Sequence, residues 1–145
     1  MKKEKINEMN LNFCAHSQNE SFSRQAVCAF IAHLDPTLPE LADLRTAISE
    51  AVTNAVVHAY RNAAPGKIYI NVKLYSDRSV RITVTDKGCG MAELEKCMEP
   101  LYTTDPKGER GGMGFAIMQC FSDDLKVKTA PGKGTTVTLY KKLSG

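Results

Sequence analysis

Between Lys67 and Asp86 the chain falls twice into strict alternation. In KIYINVKLY the apolar residues are Ile68, Ile70, Val72 and Leu74, and in SVRITVTD the positions in step are Val80, Ile82, Val84 and Asp86, with only SDR between the two runs. A period of two places each set on one side of an extended strand, and so short a break pairs the strands antiparallel. A sheet with one apolar face has to bury it, so the chain must also supply a covering layer. Two stretches with near-helical spacing precede the strands. Phe22, Ala26, Phe30 and Leu34 form the first, introduced by Ser17 and Glu20 at capping-box spacing. Leu41, Leu44, Ile48, Ala51, Ala55 and Ala59 form the second, introduced by Thr37 and Glu40 at the same spacing with Pro39 in the first turn.

The remaining segments complete the same plan. MNLNFCA alternates Met9, Leu11 and Phe13 and reads as a first strand, while LKVKTAPGKGTTVTLYK reads as a closing hairpin turning around Pro131 to Gly134. MAELEKCM is a short helical candidate, EPLYTTDPKGERGG a long loop, and GFAIMQCF a buried helix. The expectation is an α+β, two-layer sandwich: about five strands in one mixed, mainly antiparallel sheet with helices on one face. At 145 residues a single domain, 1–145, is expected.

Composition excludes several classes. No apolar run is long enough to cross a bilayer, and MKKEKINEMN lacks the apolar core of a secretory signal, so a cytoplasmic protein is expected. Five cysteines without a C-x-x-C pair indicate reduced thiols and no zinc site. A net charge of +3 without a long basic run gives little reason to expect direct nucleic-acid binding.

Three constellations carry possible chemistry. Glu50, Asn54 and His58 in SEAVTNAVVHAY are each four residues apart and share one face of the second helix, away from its apolar stripe. Such a face is commonly only a solvated surface; a carboxylate one turn from an amide oxygen also suits proton transfer beside a hard cation. Asp86 falls on the core-facing side of its strand, where an ionised acid needs hydrogen-bond donors. Backbone amides or a lysine would serve, and so would a ligand with an exocyclic amine such as adenine, with Gly88 and Gly90 allowing a flat ring to come close. Thr135, in step with Val137 and Leu139, points to the same side of the last strand. In GERGGMGFAIMQCF, glycines lead into a helix, whose unpaired N–H groups bind anions. Gly111, Gly112 and Gly114 would admit a phosphate and Arg110 would grip it; close helix packing is the competing use of those glycines. The Rossmann and Walker patterns are both absent.

In chain order these features resemble the Bergerat ATP-binding fold shared by gyrase B, Hsp90, the MutL proteins and histidine kinases. The E-x-x-x-N helix of that superfamily matches Glu50 and Asn54, its D-x-G-x-G matches Asp86, Gly88 and Gly90, and its lid G-x-G matches Gly112 and Gly114. SQNESFSR, FIAHLDPTLPEL, SEAVTNAVVHAY, PLYTT and ERGGMGFAIM, spanning Ser17 to Met118, together with the terminal GTTVTLYK, resemble more closely the sporulation anti-sigma F factors, a family of small serine kinases. Cys89 inside the glycine motif and Gly111 in place of a serine depart from that pattern. The resemblance implies ATP and Mg²⁺, with Glu50 as general base and Asn54 as nucleotide and metal ligand. It assigns Asp86 and Thr135 to the adenine, and Gly88, Gly90, Thr104, Arg110, Gly112, Met113 and Gly114 to the remaining nucleotide contacts. It also implies a homodimer that holds a sporulation sigma factor inactive and phosphorylates a serine of an anti-anti-sigma protein, with Arg24 at a partner contact. Two other readings stand beside it: a nucleotide-gated sigma-binding module without kinase activity, and a detached histidine-kinase-like catalytic domain. The second needs a helical hairpin bearing the acceptor histidine, and the residues before the Glu50 helix are already used by one strand and one helix.

Overall fold

The computed structural model describes residues 3–61, 66–86, 123–130 and 134–144. Strand β1 (Lys5–Cys14) leads into helix α1 (Gln18–Ile31), a 3₁₀ turn (Ala32–Leu34) and helix α2 (Leu38–Arg61). Strands β2 (Lys67–Tyr75), β3 (Ser79–Asp86), β4 (Asp124–Ala130) and β5 (Gly134–Lys142) follow. They form one sheet in the order β1-β2-β3-β5-β4, with every neighbouring pair antiparallel. The expected α+β sandwich is therefore present, and both expected hairpins are made. The short helix, long loop and buried helix expected from MAELEKCM, EPLYTTDPKGERGG and GFAIMQCF lie outside the described residues.

Alternation in the sequence sets the two faces of the sheet. Ile68, Ile70, Val72 and Leu74 of β2, Val80, Ile82 and Val84 of β3, and Val137 and Leu139 of β5 are all buried, together with Leu44, Ala47, Ile48, Ala51, Val52, Ala55 and Val56 of α2. Intervening residues such as Tyr69, Asn71, Thr83, Thr85, Thr136 and Thr138 keep part of their surface accessible on the opposite face. Burial at about 25 cal/mol per Å² of apolar surface makes this helix-on-sheet seam the main stabilising feature.

The start of α2 follows its sequence signal closely. Glu40 N–H donates to Thr37 Oγ1 at 3.2 Å, and Thr37 N–H donates to Glu40 Oε1 at 2.8 Å, a reciprocal cap. Glu40 Oε2 accepts a further bond from the Ser144 backbone N–H at 2.6 Å. These donors stabilise the charged form and hold the Glu40 carboxyl at about 2. Nearby, Arg78 ends the β2–β3 turn in the left-handed region at φ 67°. Its guanidinium donates to the carbonyls of Leu34 at 2.6 Å, Asp35 at 3.3 Å and Ser144 at 2.9 Å, tying the α1–α2 junction and the end of β5 to that turn.

Helix α1 departs from expectation in two respects. Its buried residues are Ser23, Val27, Cys28 and Ile31, followed by Leu34, whereas Phe22 is 56% exposed and Ala26 and Phe30 are only partly covered. The buried stripe is thus rotated by about one residue. Ser23 enters the core without an unmet hydroxyl because it donates to the Glu20 carbonyl at 2.8 Å. Nor is the Ser17–Glu20 capping box made. Ser17 is already helical and its side chain makes no capping bond, while the Glu20 carboxylate is turned towards α2.

Candidate functional site

The register of the sheet brings the inward acid and the inward threonine together. Asp86 ends β3 directly opposite Thr135 of β5 on one side and Ile68 of β2 on the other. Directly opposed residues in an antiparallel pair have Cβ atoms about 5 Å apart, so the carboxylate and the hydroxyl share one patch. Asp86 is 3% exposed and Thr135 4%, confirming that both face the helical layer. The backbone at this end of β5 turns at Gly134, whose φ of 95° lies in a region open to glycine.

Helix α2 is anchored at the far end of the same strand. Lys141 Nζ lies 4.0 Å from Asp43 Oδ2, and Ser144 is bonded to Glu40. From Asp43 to Asn54 a helix advances about 17 Å at 1.5 Å per residue. From Lys141 back to Thr135 a strand spans about 20 Å at 3.3 Å per residue. The two reaches match, and α2 remains packed on the sheet through Ala55 and Val56, so the Asn54 turn is carried towards the Asp86–Thr135 row.

Asn54 does not lie on a solvated face. It is 6% exposed, and its Nδ2 has no hydrogen-bond partner among the described residues. A buried amide group left unmet costs about 1–3 kcal/mol. The side chain can recover this by donating to a ligand, or by exchanging its two ends so that its oxygen meets a cation. Glu50, one helical turn earlier on α2, is half-buried. The expectation of a solvent-facing polar stripe at Glu50 and Asn54 is thus corrected at Asn54, which is buried. Among the described residues no group of three or more His, Cys, Asp or Glu side chains gathers as a metal site.

Arg24 lies on α1. Its Nη1 is 3.3 Å from Glu20 Oε1 and 3.5 Å from Ser49 Oγ of α2, and the Ser49 hydroxyl donates to the same Glu20 oxygen. Ser49 was not legible as a site residue in the sequence, and Glu20 reads there as a capping acid. The i,i+4 spacing of Glu20 and Arg24 is the one local signal of their pairing. The side chain of His58 and the candidate residues Gly88, Gly90, Thr104, Arg110, Gly111, Gly112, Met113 and Gly114 lie outside the described residues.

The sequence profile of the histidine kinase-, DNA gyrase B- and HSP90-like ATPases matches residues 40–145. The chain is 52% identical over 138 residues to the anti-sigma F factor of Bacillus licheniformis, covering 95% of this chain and 94% of that one. It is 51% identical over 138 residues to the anti-sigma F factor of Bacillus subtilis (strain 168), with the same shares covered. In fold it is similar to the RsbU and RsbW domains of Rv1364c from Mycobacterium tuberculosis, with a TM-score of 0.70 at 24% identity over 97% of this chain and 33% of that one. The histidine kinase domain of the Erythrobacter litoralis EL346 blue-light activated histidine kinase is similar at a TM-score of 0.58 and 22% identity, over 86% of this chain and 61% of that one.

Proposed function

Because the chain belongs to the anti-sigma F factors, within the histidine kinase-, DNA gyrase B- and HSP90-like ATPases, we propose that it is an ATP-dependent serine kinase that also sequesters a sporulation sigma factor. Its phosphoacceptor is an anti-anti-sigma protein, and it works as a cytoplasmic homodimer. The observation that carries this reading is the buried patch of Asp86 and Thr135, approached by an Asn54 amide with an unmet polar atom.

Those residues fit the nucleotide chemically. A buried carboxylate is an acceptor suited to an exocyclic amine, and it discriminates against a base that presents a carbonyl at that edge. The Thr135 hydroxyl can both donate and accept, so it supports that contact directly or through water. Asn54 offers a neutral oxygen of the kind Mg²⁺ takes alongside phosphate oxygens and water. When bound, ATP with Mg²⁺ supplies the transferable phosphoryl group and neutralises much of its charge. Glu50 accepts the proton of the acceptor serine hydroxyl as that oxygen becomes a nucleophile, and holds it on its carboxylate. Arg110 and the glycines at Gly112 and Gly114 would hold the phosphate oxygens through N–H donors. Nucleotide state then governs sigma binding to the extent that the γ-phosphate changes the surface offered to sigma, so tighter binding with ATP than with ADP is expected.

The test is incubation with labelled ATP and Mg²⁺ in the presence of a candidate anti-anti-sigma protein. Acid-stable label on a serine of that protein, lost in Glu50→Gln with ATP binding retained, is the expected result. Acid-labile label would support a histidine kinase instead. No transfer to any partner, with sigma still bound in the ATP state, would leave a nucleotide-gated binding module.

A further inference from the structure

The contact between α1 and α2 holds a polar bridge that the nucleotide patch does not use. Glu20 and Arg24 stand one turn apart on α1, and Ser49 faces them from α2 beside Glu50. The Glu20 and Arg24 side chains are 17% and 31% exposed, so the bridge sits at the rim of the helical layer with the guanidinium outermost. Only Nη1 of Arg24 is engaged by it. Among the described residues its Nε and Nη2 make no hydrogen bond, and these two form the edge of the guanidinium fork that binds a carboxylate side-on.

We propose that Ser49, acting with Glu20, is a positioning residue for partner recognition: it holds Arg24 by Nη1 so that its Nε–Nη2 edge is presented, already oriented, to a carboxylate of the protein partner. This rests on the reading of Arg24 as a partner contact. A long arginine side chain on a helix surface samples many rotamers, and ordering it only on binding weakens the complex. Here the ordering is done within the free protein. The Ser49 hydroxyl fixes the Glu20 carboxylate across the helix interface, and the carboxylate fixes the arginine. Since Ser49 is adjacent to Glu50, the helical turn that carries the base also steadies the partner's anchor.

The experiment measures sigma-factor and anti-anti-sigma affinity, ATP affinity and thermal stability for Ser49→Ala, Ser49→Thr, Glu20→Gln, Arg24→Ala and the Ser49→Ala/Arg24→Ala double variant of the full chain. Ser49→Ala is expected to weaken partner binding about five- to tenfold, mainly through faster dissociation. Its ATP affinity should be unchanged, Ser49→Thr should restore binding, and the double variant should bind no worse than Arg24→Ala alone. Glu20→Gln, which keeps an acceptor but loses the charge, should fall between wild type and Ser49→Ala. If Arg24→Ala weakens binding while Ser49→Ala does not, or if the two losses simply multiply, the positioning role is wrong and the partner role of Arg24 survives. If Arg24→Ala binds both partners like wild type, the partner role fails and the inference fails with it.

Discussion

Replacing Asp86 by asparagine removes one charge from the candidate site while keeping the shape of the side chain. The residue is 3% exposed and lies opposite Thr135, so any hydrogen bond it accepts is made away from competing water. Bonds to a charged acceptor contribute about 1.5–3 kcal/mol, which at 1.4 kcal/mol per decade corresponds to a loss of about 10- to 150-fold in ATP affinity. Selectivity should fall as well, because the asparagine amide can donate to a guanine carbonyl where the carboxylate cannot. The near-isosteric exchange should move Tm by less than about 4 °C in a domain of this size. Titration of a fluorescent ATP analogue, with the matching GTP analogue and a melting curve, measures all three quantities. Thr85→Ala is the control, since Thr85 precedes Asp86 on the same strand but belongs to the opposite face of the sheet, and it should bind ATP like wild type. Unchanged ATP affinity in Asp86→Asn, or an equal loss in Thr85→Ala, would refute the adenine role.

Three further outcomes are expected. Asn54→Ala should lose the Mg²⁺ dependence of nucleotide affinity with little loss of stability, since the amide it removes includes an unmet buried donor; equilibrium binding with and without Mg²⁺, paired with urea unfolding, measures both. Glu40 titrates at about 2 in the folded protein against an ordinary 4.5, so its contribution to stability is complete above about pH 4.5 and is lost as pH falls towards 2; Glu40→Gln should flatten the dependence of Tm on pH across that window. Arg78→Ala should destabilise by about 2–3 kcal/mol through its three carbonyl contacts, and Arg78→Gly should recover about 1 kcal/mol of that in urea melts because φ at this position is 67°.

Much of the architecture could be read from local pattern because it is written locally. Strict alternation from Lys67 to Asp86 fixes both the strand pairing and the inward direction of the acid, and Thr37 with Glu40 marks the start of α2 to the residue. What escaped sequence reasoning was set by packing between elements. In α1 two interleaved stripes compete, and the choice of Val27 and Ile31 over Phe22 and Phe30 depends on where α2 and the sheet lie. The burial of Asn54 is set by tertiary packing, which the periodicity of α2 does not encode. The bridge from Glu20 to Ser49 joins residues distant in the chain, and Glu20 already had a plausible local use as a cap. The match to a known family supplied what periodicity could not, membership of the anti-sigma F factors within the histidine kinase-, DNA gyrase B- and HSP90-like ATPases.

The most direct measurement is a crystal structure of the protein with Mg²⁺ and a non-hydrolysable ATP analogue. The purine amine is expected within hydrogen-bond distance of the Asp86 carboxylate, with Thr135 beside it and the Asn54 oxygen in the metal's coordination shell. A nucleotide seated elsewhere, or one whose base leaves Asp86 untouched, would contradict the assignment of this patch as the ATP site.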